Sequence, residues 1–390
     1  MGIHDYEKRL EGASEILAKS TIREEDKKLI RHFVERKVSE GVGVPRQEKY
    51  LRMLRQVAER YFEENHSFSS LKEEDVISVI GKIESTSLSD WTKYDFKLVL
   101  KIFLVWLGKE ETIKWMKIKE PKTLPNDLLN EQEVMALIDA AESLRDKALI
   151  AALYEGGFRI GELGGLRIKD VSFDRYGAIA MVNGKTGPRP VRLIWSMPYI
   201  AQWLEAHPLR EEQDAPLWIK TNTREMLKYN AIRMQLRKIA RRAGIEKPVN
   251  PHSFRHLRIT ELKRKRHLSR AQIEQYFGWI KGSRMHSIYD HLSGQDLDAD
   301  LVRMYGMEPE KEDQQEELKT LQCPHCKTLN TIGARICINC RKPLAVEEVM
   351  EREESTMAMF KDFMDLVTEH PEVIEKFKKL LGSKREAKVT

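Results

Sequence analysis

The sequence predicts a mainly α protein in which an all-helical first domain is followed by an α+β domain with a small β-hairpin or sheet. First, apolar residues recur at spacings of three and four over residues 5–116, which is the pattern of one helix face. Second, the stretch "YGAIAMVNGKTGPRPVRLIWS" alternates in polarity and is interrupted by Asn-Gly and Thr-Gly pairs, which are typical of a hairpin. Third, all four cysteines lie within residues 323–340, which indicates a separate small module.

The first domain consists of predicted helices separated by short stretches that contain glycine or serine. The predicted helices cover residues 7–20, 23–41, 46–65, 72–85 and 89–108. A stretch with two prolines and mixed charge, "KIKEPKTLPNDLL", follows and is typical of a linker.

The second domain begins at Asn130, which can cap a helix because an acidic turn follows it. Residues 143–167 predict two helical stretches broken by Gly156 and Gly157. After the hairpin, helices resume near Trp203 and continue to about Gly306. The predicted divisions are residues 1–118 (helical), 119–129 (linker), 130–307 (α+β), 308–320 (acidic linker), 321–345 (four cysteines) and 346–390 (helical tail).

Basic charge is concentrated in one part of the second domain. The net charge of the chain is only +6, but residues 224–270 hold fifteen Lys and Arg against three acidic residues. Such a concentration favours a polyanionic partner, and nucleic acid is the expected one. A solvated helix face is the alternative.

The composition predicts a cytoplasmic protein with no membrane partner. The N-terminus "MGIHDYEKRL" has no apolar core of a signal peptide. The longest apolar run, "LVLKIFLVWLG", contains Lys101 and is far shorter than the roughly 20 residues of a membrane span. The cysteines are confined to one segment, which leaves none to cross-link the rest and suits a reducing compartment.

The cysteine segment predicts a zinc ribbon. Its sequence "CPHCKTLNTIGARICINC" contains two C-x-x-C pairs separated by ten residues, and four thiolates can close a tetrahedral, structural Zn²⁺ site. The ligands would be Cys323, Cys326, Cys337 and Cys340. A redox role for either pair is the alternative, and a protein partner could bind the ribbon or the Met-rich tail.

A histidine and two arginines suggest a phosphate site. In "NPHSFRHLRI", His252 and Arg255 are three residues apart and therefore share one helix face. Arg159 follows a glycine pair, and Glu162 three residues later can hold its guanidinium. In isolation, such a histidine would more often be a satisfied core residue; the other residues change that interpretation.

A lysine, a tryptophan and a tyrosine complete a set that suits phosphodiester chemistry. Lys185 lies at the tip of the predicted hairpin, and Trp279 and Tyr289 follow the basic segment. Two guanidiniums can neutralise the oxygens of a pentacoordinate phosphorus, a phenol can attack phosphorus, and a lysine can protonate the leaving oxygen. None of these steps requires a metal or another cofactor.

These motifs together resemble the tyrosine recombinase (phage integrase) family. The matching segments are "GGFRIGELGGLRIKDV", "NGKTGPRPVRL", "PHSFRHLRIT" and "FGWIKGSRMHSIYDHLSG", and they span about residues 130–307. The signature positions of the family fall on Arg159, Glu162, Lys185, His252, Arg255, Trp279 and Tyr289. The ribbon that follows resembles archaeal members. Many members have "LGH" where this chain has "FGW", so an indole N–H would replace an imidazole.

The resemblance implies a site-specific recombinase with a core-binding domain over residues 1–118. Such an enzyme cleaves and rejoins double-stranded DNA through a 3′-phosphotyrosyl intermediate, acts as a tetramer on two sites, and would be nucleoid-associated; the free chain could be a monomer or a dimer. Basic residues at helical spacing are the expected phosphate contacts: Arg46, Lys49, Arg52, Arg55, Lys97, Arg233, Arg237 and Arg241.

Three alternatives remain open from the sequence. They are a catalytically idle DNA-binding protein, a relaxing enzyme similar to a type IB topoisomerase, and a zinc-ribbon transcription factor. Tyr276 is a rival nucleophile, although its "QYFGW" context is typical of a core, and His286 is a spare proton donor.

Overall fold

The computed structural model describes residues 3–64, 66–121, 127–184, 187–265, 268–283, 285–286, 304–305, 320–331, 334–342, 344 and 361. The chain divides into two compact units. One is Met1–Asp127 with Lys228–Ala231, and the other is Leu128–Leu227 with Ile232–Thr390.

The first unit is helical, as the sequence predicts. Its helices are α1 (Tyr6–Lys19), α2 (Glu24–Ser39), α3 (Val44–Tyr61), α4 (Glu73–Glu84) and α5 (Asp90–Trp106), followed by a 3-10 turn at Glu110–Ile113. Their apolar faces share a core in which Phe33, Phe68 and Phe103 are fully buried. The Phe103 ring meets the other two edge-on, at centroid distances of 5.1 and 4.7 Å. Edge-on contact between aromatic rings adds to the stabilisation that comes from the apolar area they bury.

The second unit contains most of the remaining helices and a small sheet. The helices are α6 (Glu131–Ala140), α7 (Leu144–Gly156), α8 (Ile160–Gly164), α9 (Met197–Glu205), α10 (Tyr229–Arg242, which belongs to this unit from Ile232 onwards), α11 (Pro251–Lys265) and α12 (Arg270–Phe277). Asn130 caps α6 as predicted, since its side chain accepts a hydrogen bond from the N–H of Glu133 at 2.8 Å. Helix α7 packs against α6, α9, α11 and β3, which explains why residues all around it are buried.

The predicted hairpin is part of a three-stranded antiparallel sheet. Strands β1 (Val171–Asp174), β2 (Gly177–Gly184) and β3 (Gly187–Leu193) are adjacent in that order. Ala180 pairs with Val191, and Gly184 pairs with Gly187 at the end of the hairpin. Because side chains alternate between the two faces, the face with Ala178, Ala180 and Val182 is buried, whereas Met181 and Asn183 are exposed.

The four-cysteine segment contains two short antiparallel strands, β4 (Leu321–Gln322) and β5 (Leu329–Asn330). In the predicted helical tail, only Lys361 is among the described residues. Across the described part of the chain, every helix is too short or too polar to cross a membrane.

A candidate phosphate site and a candidate metal site

Arg159 lies where the chain turns from α7 into α8. Helix α7 ends at Gly156 and is capped by Gly157, whose φ of 53° is left-handed and therefore suits glycine. Arg159 then caps α8, and its backbone N–H and its Nη1 donate to the Glu162 carboxylate at 3.0 and 2.9 Å. The side chain of Arg159 stays 36% exposed while that of Glu162 is 3% exposed, so the carboxylate anchors a guanidinium that solvent can reach.

Arg255 lies in the first turns of α11 and is buried. Its Nη1 donates to the carbonyl of Gly157 at 2.7 Å and its Nη2 to the carbonyl of Phe277 at 2.9 Å. The Phe277 carbonyl also accepts a hydrogen bond from Arg159 Nη1 at 3.3 Å. Two guanidiniums that are far apart in the sequence therefore meet at one oxygen, and such a pair of like charges is a ready receptor for an anion.

His252 lies on the exposed side of α11, one turn before Arg255. Its ring meets that of His256 edge-on, at a centroid distance of 4.0 Å. Partial burial and then the charge of Arg255 lower the pKa of His252 below its ordinary value. Burial, His252 and Arg255 lower the pKa of His256 to about 4. Both imidazoles are therefore neutral at pH 7, so that each can accept a proton.

Trp279 is largely buried just after α12. Its ring stacks on Phe277 at 5.6 Å and meets the ring of His286 edge-on at 5.1 Å. His286 is also buried, with Nε2 3.3 Å from the Glu274 carboxylate. Trp279 and His286, the alternative proton donor, are therefore in contact, and both shortly precede Tyr289 in the sequence.

Tyr276 has the surroundings of a core residue, in agreement with its sequence context. Its hydroxyl donates to the carbonyl of Glu155 at 2.7 Å, and its ring packs in the cluster of Ile259 and Phe277. Burial raises the pKa of Tyr276 to about 12, partly offset by Arg258. A phenol held in this way is a poor nucleophile.

Lys185 and Tyr289 lie outside the described residues. The hairpin that carries Lys185 is described up to Gly184 and from Gly187 onwards. The roles of Lys185 and Tyr289 stay predictions from the sequence.

Arg189 is a site residue that the sequence analysis missed. It lies on the inward face of β3, is 7% exposed, and binds both oxygens of Glu162 through Nη1 and Nη2 at 3.0 and 2.9 Å. Burial alone would raise the pKa of Glu162, but Arg189 and then Arg159 hold it below its ordinary value. The sequence contained one indication that Arg189 is buried: it is two residues from Val191 and four from Leu193, so all three lie on one face of the strand.

The basic residues proposed to bind DNA differ in their partners. In the first unit Arg46 is exposed, whereas the other four form ion pairs: Lys49 with Asp95, Arg52 with Glu48, Arg55 with Glu59, and Lys97 with Glu84. On α10, Arg233, Arg237 and Arg241 lie opposite the buried Ile232, Leu236 and Ile239. Among the described residues, no acidic side chain forms a salt bridge with these three arginines.

The four cysteines form a cluster that fits a tetrahedral metal ion. Their sulfur atoms all lie within 4.8 Å of one another, with Sγ–Sγ distances of 3.6 Å for Cys323–Cys340 and 3.5 Å for Cys326–Cys337. Four thiolates at Zn–S distances of about 2.3 Å would place their sulfur atoms about 3.8 Å apart. The donor set and its spacing therefore suit zinc.

Comparison with known proteins gives consistent similarities. A sequence profile described as the phage integrase family matches residues 127–296. The tyrosine recombinase XerA of Pyrococcus horikoshii is 26% identical over 215 residues, which cover 54% of this chain and 73% of that protein. XerA of Pyrococcus furiosus is 28% identical over 223 residues, with the same shares of 54% and 73%. XerC of Myxococcus xanthus is 34% identical over 158 residues, which cover 37% of this chain and 51% of the relative.

Solved structures share the fold at low sequence identity. The XerH site-specific recombinase bound to its difH substrate has a TM-score of 0.53 and 18% identity, with 76% of this chain and 94% of that chain covered. The Tn1549 transposon integrase in complex with circular intermediate DNA has a TM-score of 0.52 and 17% identity, with 70% and 98% covered. The profile match and the curated relatives agree with the resemblance seen in the sequence: residues 127–296 are similar to the phage integrase family, and the solved structures show that the fold is shared.

Proposed function

We propose that the chain is a site-specific DNA recombinase, or integrase, that cleaves and rejoins DNA strands through a covalent 3′-phosphotyrosyl intermediate at Tyr289. The observation that carries the proposal is the convergence of Arg159 and Arg255 on the Phe277 carbonyl. Two adjacent guanidiniums repel each other, and a phosphodiester would relieve that repulsion. A pentacoordinate phosphorus carries more negative charge than the phosphodiester, so the two arginines would stabilise it more strongly than the bound substrate. An enzyme accelerates a reaction only through such a difference.

In the cleavage step, the phenolic oxygen of Tyr289 attacks phosphorus and the 5′-oxygen leaves. Lys185 donates a proton to the leaving oxygen, while His252, neutral at pH 7, accepts the phenol proton or bonds to the phosphate. The indole N–H of Trp279 is a further donor to a phosphate oxygen. Rejoining is the reverse step: a 5′-hydroxyl attacks the phosphotyrosine and the phenol leaves, so no external energy source is needed.

Double-stranded DNA is the proposed partner of residues 1–118 and 130–307, the two predicted DNA-contacting domains. The arginine stripe of α10 supports this proposal most directly, because its charges have no salt bridge among the described residues. In the first unit, Lys49, Arg52, Arg55 and Lys97 would exchange their carboxylate partners for phosphates. Most such contacts set the register of the protein on the duplex, and few read base edges.

The assembly that we propose is a tetramer on two DNA sites, with the free chain a monomer or a dimer. Strand exchange needs two duplexes with two cleavable strands each, and each protomer has one Tyr289. Several solved structures that share the fold are complexes with DNA, among them a lambda integrase dimer bound to a core site.

We also propose that Cys323, Cys326, Cys337 and Cys340 hold a structural Zn²⁺. The fit of their sulfur spacing to a tetrahedral ion supports this proposal. The ion would stabilise a segment too small for a core of its own. The ribbon or the tail would be free to bind a protein partner, and the proposed cleavage steps do not use the ion.

The experiment that tests the function traps the covalent intermediate. Wild type, Tyr289→Phe and the matched control Tyr276→Phe are incubated with nicked duplexes made from genomic fragments of the source organism, and the products are run on a denaturing gel. We expect an adduct with wild type and Tyr276→Phe and none with Tyr289→Phe.

The other outcomes each identify a different function. Tight binding without an adduct on any fragment would identify an idle DNA-binding protein. An adduct on every sequence, with relaxation of supercoiled DNA and no recombinants, would identify an activity of the type IB topoisomerase kind.

A further inference from the structure

We propose that Arg189 is a positioning residue for strand cleavage, which acts by holding Glu162 and through it the guanidinium of Arg159. The inference rests on the function proposed above, because it concerns the same phosphate site. Arg189 would act through Glu162 and Arg159 and would not contact the substrate itself.

Arg189 is turned away from solvent by the strand that carries it. On β3 it pairs with Val182, which is buried, and it shares the inward face with Val191. Its side chain is only 9% exposed, compared with 36% for Arg159. A phosphate that approaches from solvent would therefore meet Arg159 before Arg189.

The Glu162 carboxylate is shared between the two arginines. Oε1 accepts from Arg189 Nη1 at 3.0 Å and from Arg159 Nη1 at 2.9 Å, and Oε2 accepts from Arg189 Nη2 at 2.9 Å. Two parallel hydrogen bonds from one guanidinium fix the plane of the carboxylate as well as its position. Arg189 therefore determines where Oε1 lies, and Oε1 determines where Arg159 is held.

A second route joins Arg189 to the same site through the C-terminal end of α12. Three successive carbonyls there accept hydrogen bonds from arginines: Tyr276 from Arg189 Nε at 3.0 Å, Phe277 from Arg159 and Arg255, and Gly278 from Arg159 Nη2 at 3.1 Å. The carbonyl end of a helix carries partial negative charge, which stabilises this gathering of cations. Arg189 thus fixes the first of the three carbonyls, and the catalytic arginines use the next two.

Two glycines close around the ion pair and leave Arg189 little room to move. A Cβ at Gly278, where φ is 60°, would lie 2.8 Å from Arg189 Nη1. A Cβ at Gly184 would lie 2.7 Å from Glu162 Oε1 and 3.2 Å from Arg189 Nη1. Side chains at either position would displace the pair, so the backbone itself is shaped to hold Arg189 in place.

The first test compares Arg189→Lys with Arg192→Lys as a matched control. Lysine keeps the charge but cannot bind both carboxylate oxygens in one plane. Arg192 lies on the same strand, faces the other side and pairs with the exposed Asp174. Single-turnover cleavage is measured on a nicked duplex with an ordinary phosphodiester and on one with a neutral methylphosphonate at the scissile position.

On the phosphodiester we expect Arg189→Lys to slow cleavage by roughly 10- to 100-fold, because a displacement of about 1 Å in a catalytic group costs about that much. On the methylphosphonate, which has less charge for Arg159 to neutralise, we expect the loss to shrink to about threefold or less. Arg192→Lys should stay within about twofold on both substrates. An equal loss of Arg189→Lys on both substrates would overturn the proposal and leave Arg189 a purely structural residue.

The second test needs no catalysis. In protein labelled with ¹⁵N-arginine, the guanidinium resonances of Arg159, assigned with Arg159→Lys, report how firmly that side chain is held. We expect them to broaden or shift in Arg189→Lys and to be unchanged in Arg192→Lys. Unchanged Arg159 resonances in Arg189→Lys would overturn the proposal even if cleavage were slow.

The two tests separate the failure of this inference from that of the proposed function. A wild type that forms no covalent adduct contradicts the recombinase proposal. In that case the resonances of Arg159 still decide whether Arg189 positions it.

Discussion

The Phe277 carbonyl accepts hydrogen bonds from both Arg159 and Arg255, and this arrangement decides what the site can bind. One neutral oxygen cannot neutralise two guanidiniums. Glu162 balances one positive charge but is shared with Arg189. These described groups bring three guanidiniums and one carboxylate together, an arrangement that suits an anionic phosphodiester.

A pH profile tests the role of His252. Burial and Arg255 hold the pKa of His252 below its ordinary value of 6.5, so most of the imidazole is still neutral at pH 6.5 and it gains a proton as the pH falls further. If neutral His252 accepts the phenol proton, single-turnover cleavage at subsaturating DNA should lose less than half of its rate between pH 8 and 6.5 and decline further at lower pH. His252→Gln should lack this decline and be slower, by roughly 100-fold, at pH 7.5.

A rate that is already half-maximal at pH 6.5 or above in wild type would contradict this assignment. His256, whose pKa is about 4, is still neutral at pH 6 and would cause a decline only at much lower pH. His256→Asn is therefore the matched control, and it should keep the wild-type profile above pH 6.

The sequence was sufficient to predict that Glu162 contacts Arg159, but not that Glu162 also contacts Arg189. Glu162 is three residues from Arg159, so local spacing predicts their contact. The contact of Arg189 with Glu162 spans 27 residues and depends on how β3 packs beside α8. Pairing over such a separation is set by tertiary structure, which a local pattern does not contain.

Among the secondary-structure elements, helices with an apolar face were predictable and irregular connections were not. The predicted helices of the first unit match α1 to α5 because each buries one face in the shared core. Helix α9 begins at Met197, earlier than the predicted return near Trp203, with Pro198 in its first turn. The segment between α9 and α10 makes isolated bridges, Arg167 with Pro216 and Ile219 with Met226, which follow no local periodicity.

Helix α10 gives a test of DNA binding that is separate from catalysis. Arg237 is exposed, and it forms no salt bridge among the described residues. Arg237→Gln should weaken binding to all sequences alike and reduce the slope of log K against log salt by about 1 for each phosphate that the protein no longer neutralises. Fluorescence anisotropy over a series of salt concentrations measures both quantities.

The control for α10 is Arg210→Gln, which removes one exposed charge that already pairs with Glu211. It should leave the slope unchanged. An unchanged slope in Arg237→Gln as well would remove α10 from the proposed DNA interface.

At the scale of the whole molecule, the proposed ribbon and the proposed phosphate site consist of different kinds of side chain. Four clustered cysteines characterise the proposed ribbon, whereas guanidiniums and imidazoles form the proposed phosphate site. Their functions should therefore be separable by substitution.

Metal analysis tests this separation. We expect about one zinc per chain in purified wild type and none in a variant with Cys337→Ser and Cys340→Ser, because two thiolates cannot complete a structural site. The variant should still form the covalent adduct with a nicked duplex. A zinc content unchanged by the substitutions would contradict the proposed ligands, and a folded variant without adduct would contradict the separation.

The central claim is that Tyr289 becomes covalently attached to DNA, and mass spectrometry of the trapped adduct tests it most directly. Trypsin places Tyr289 on the peptide of residues 285–303 and Tyr276 on that of residues 271–281, so that the two candidates separate by mass. After nuclease digestion, we predict a nucleotide remnant on the first peptide, with fragment ions that locate it on Tyr289. A remnant on the second peptide, or on any residue other than Tyr289, would contradict the account.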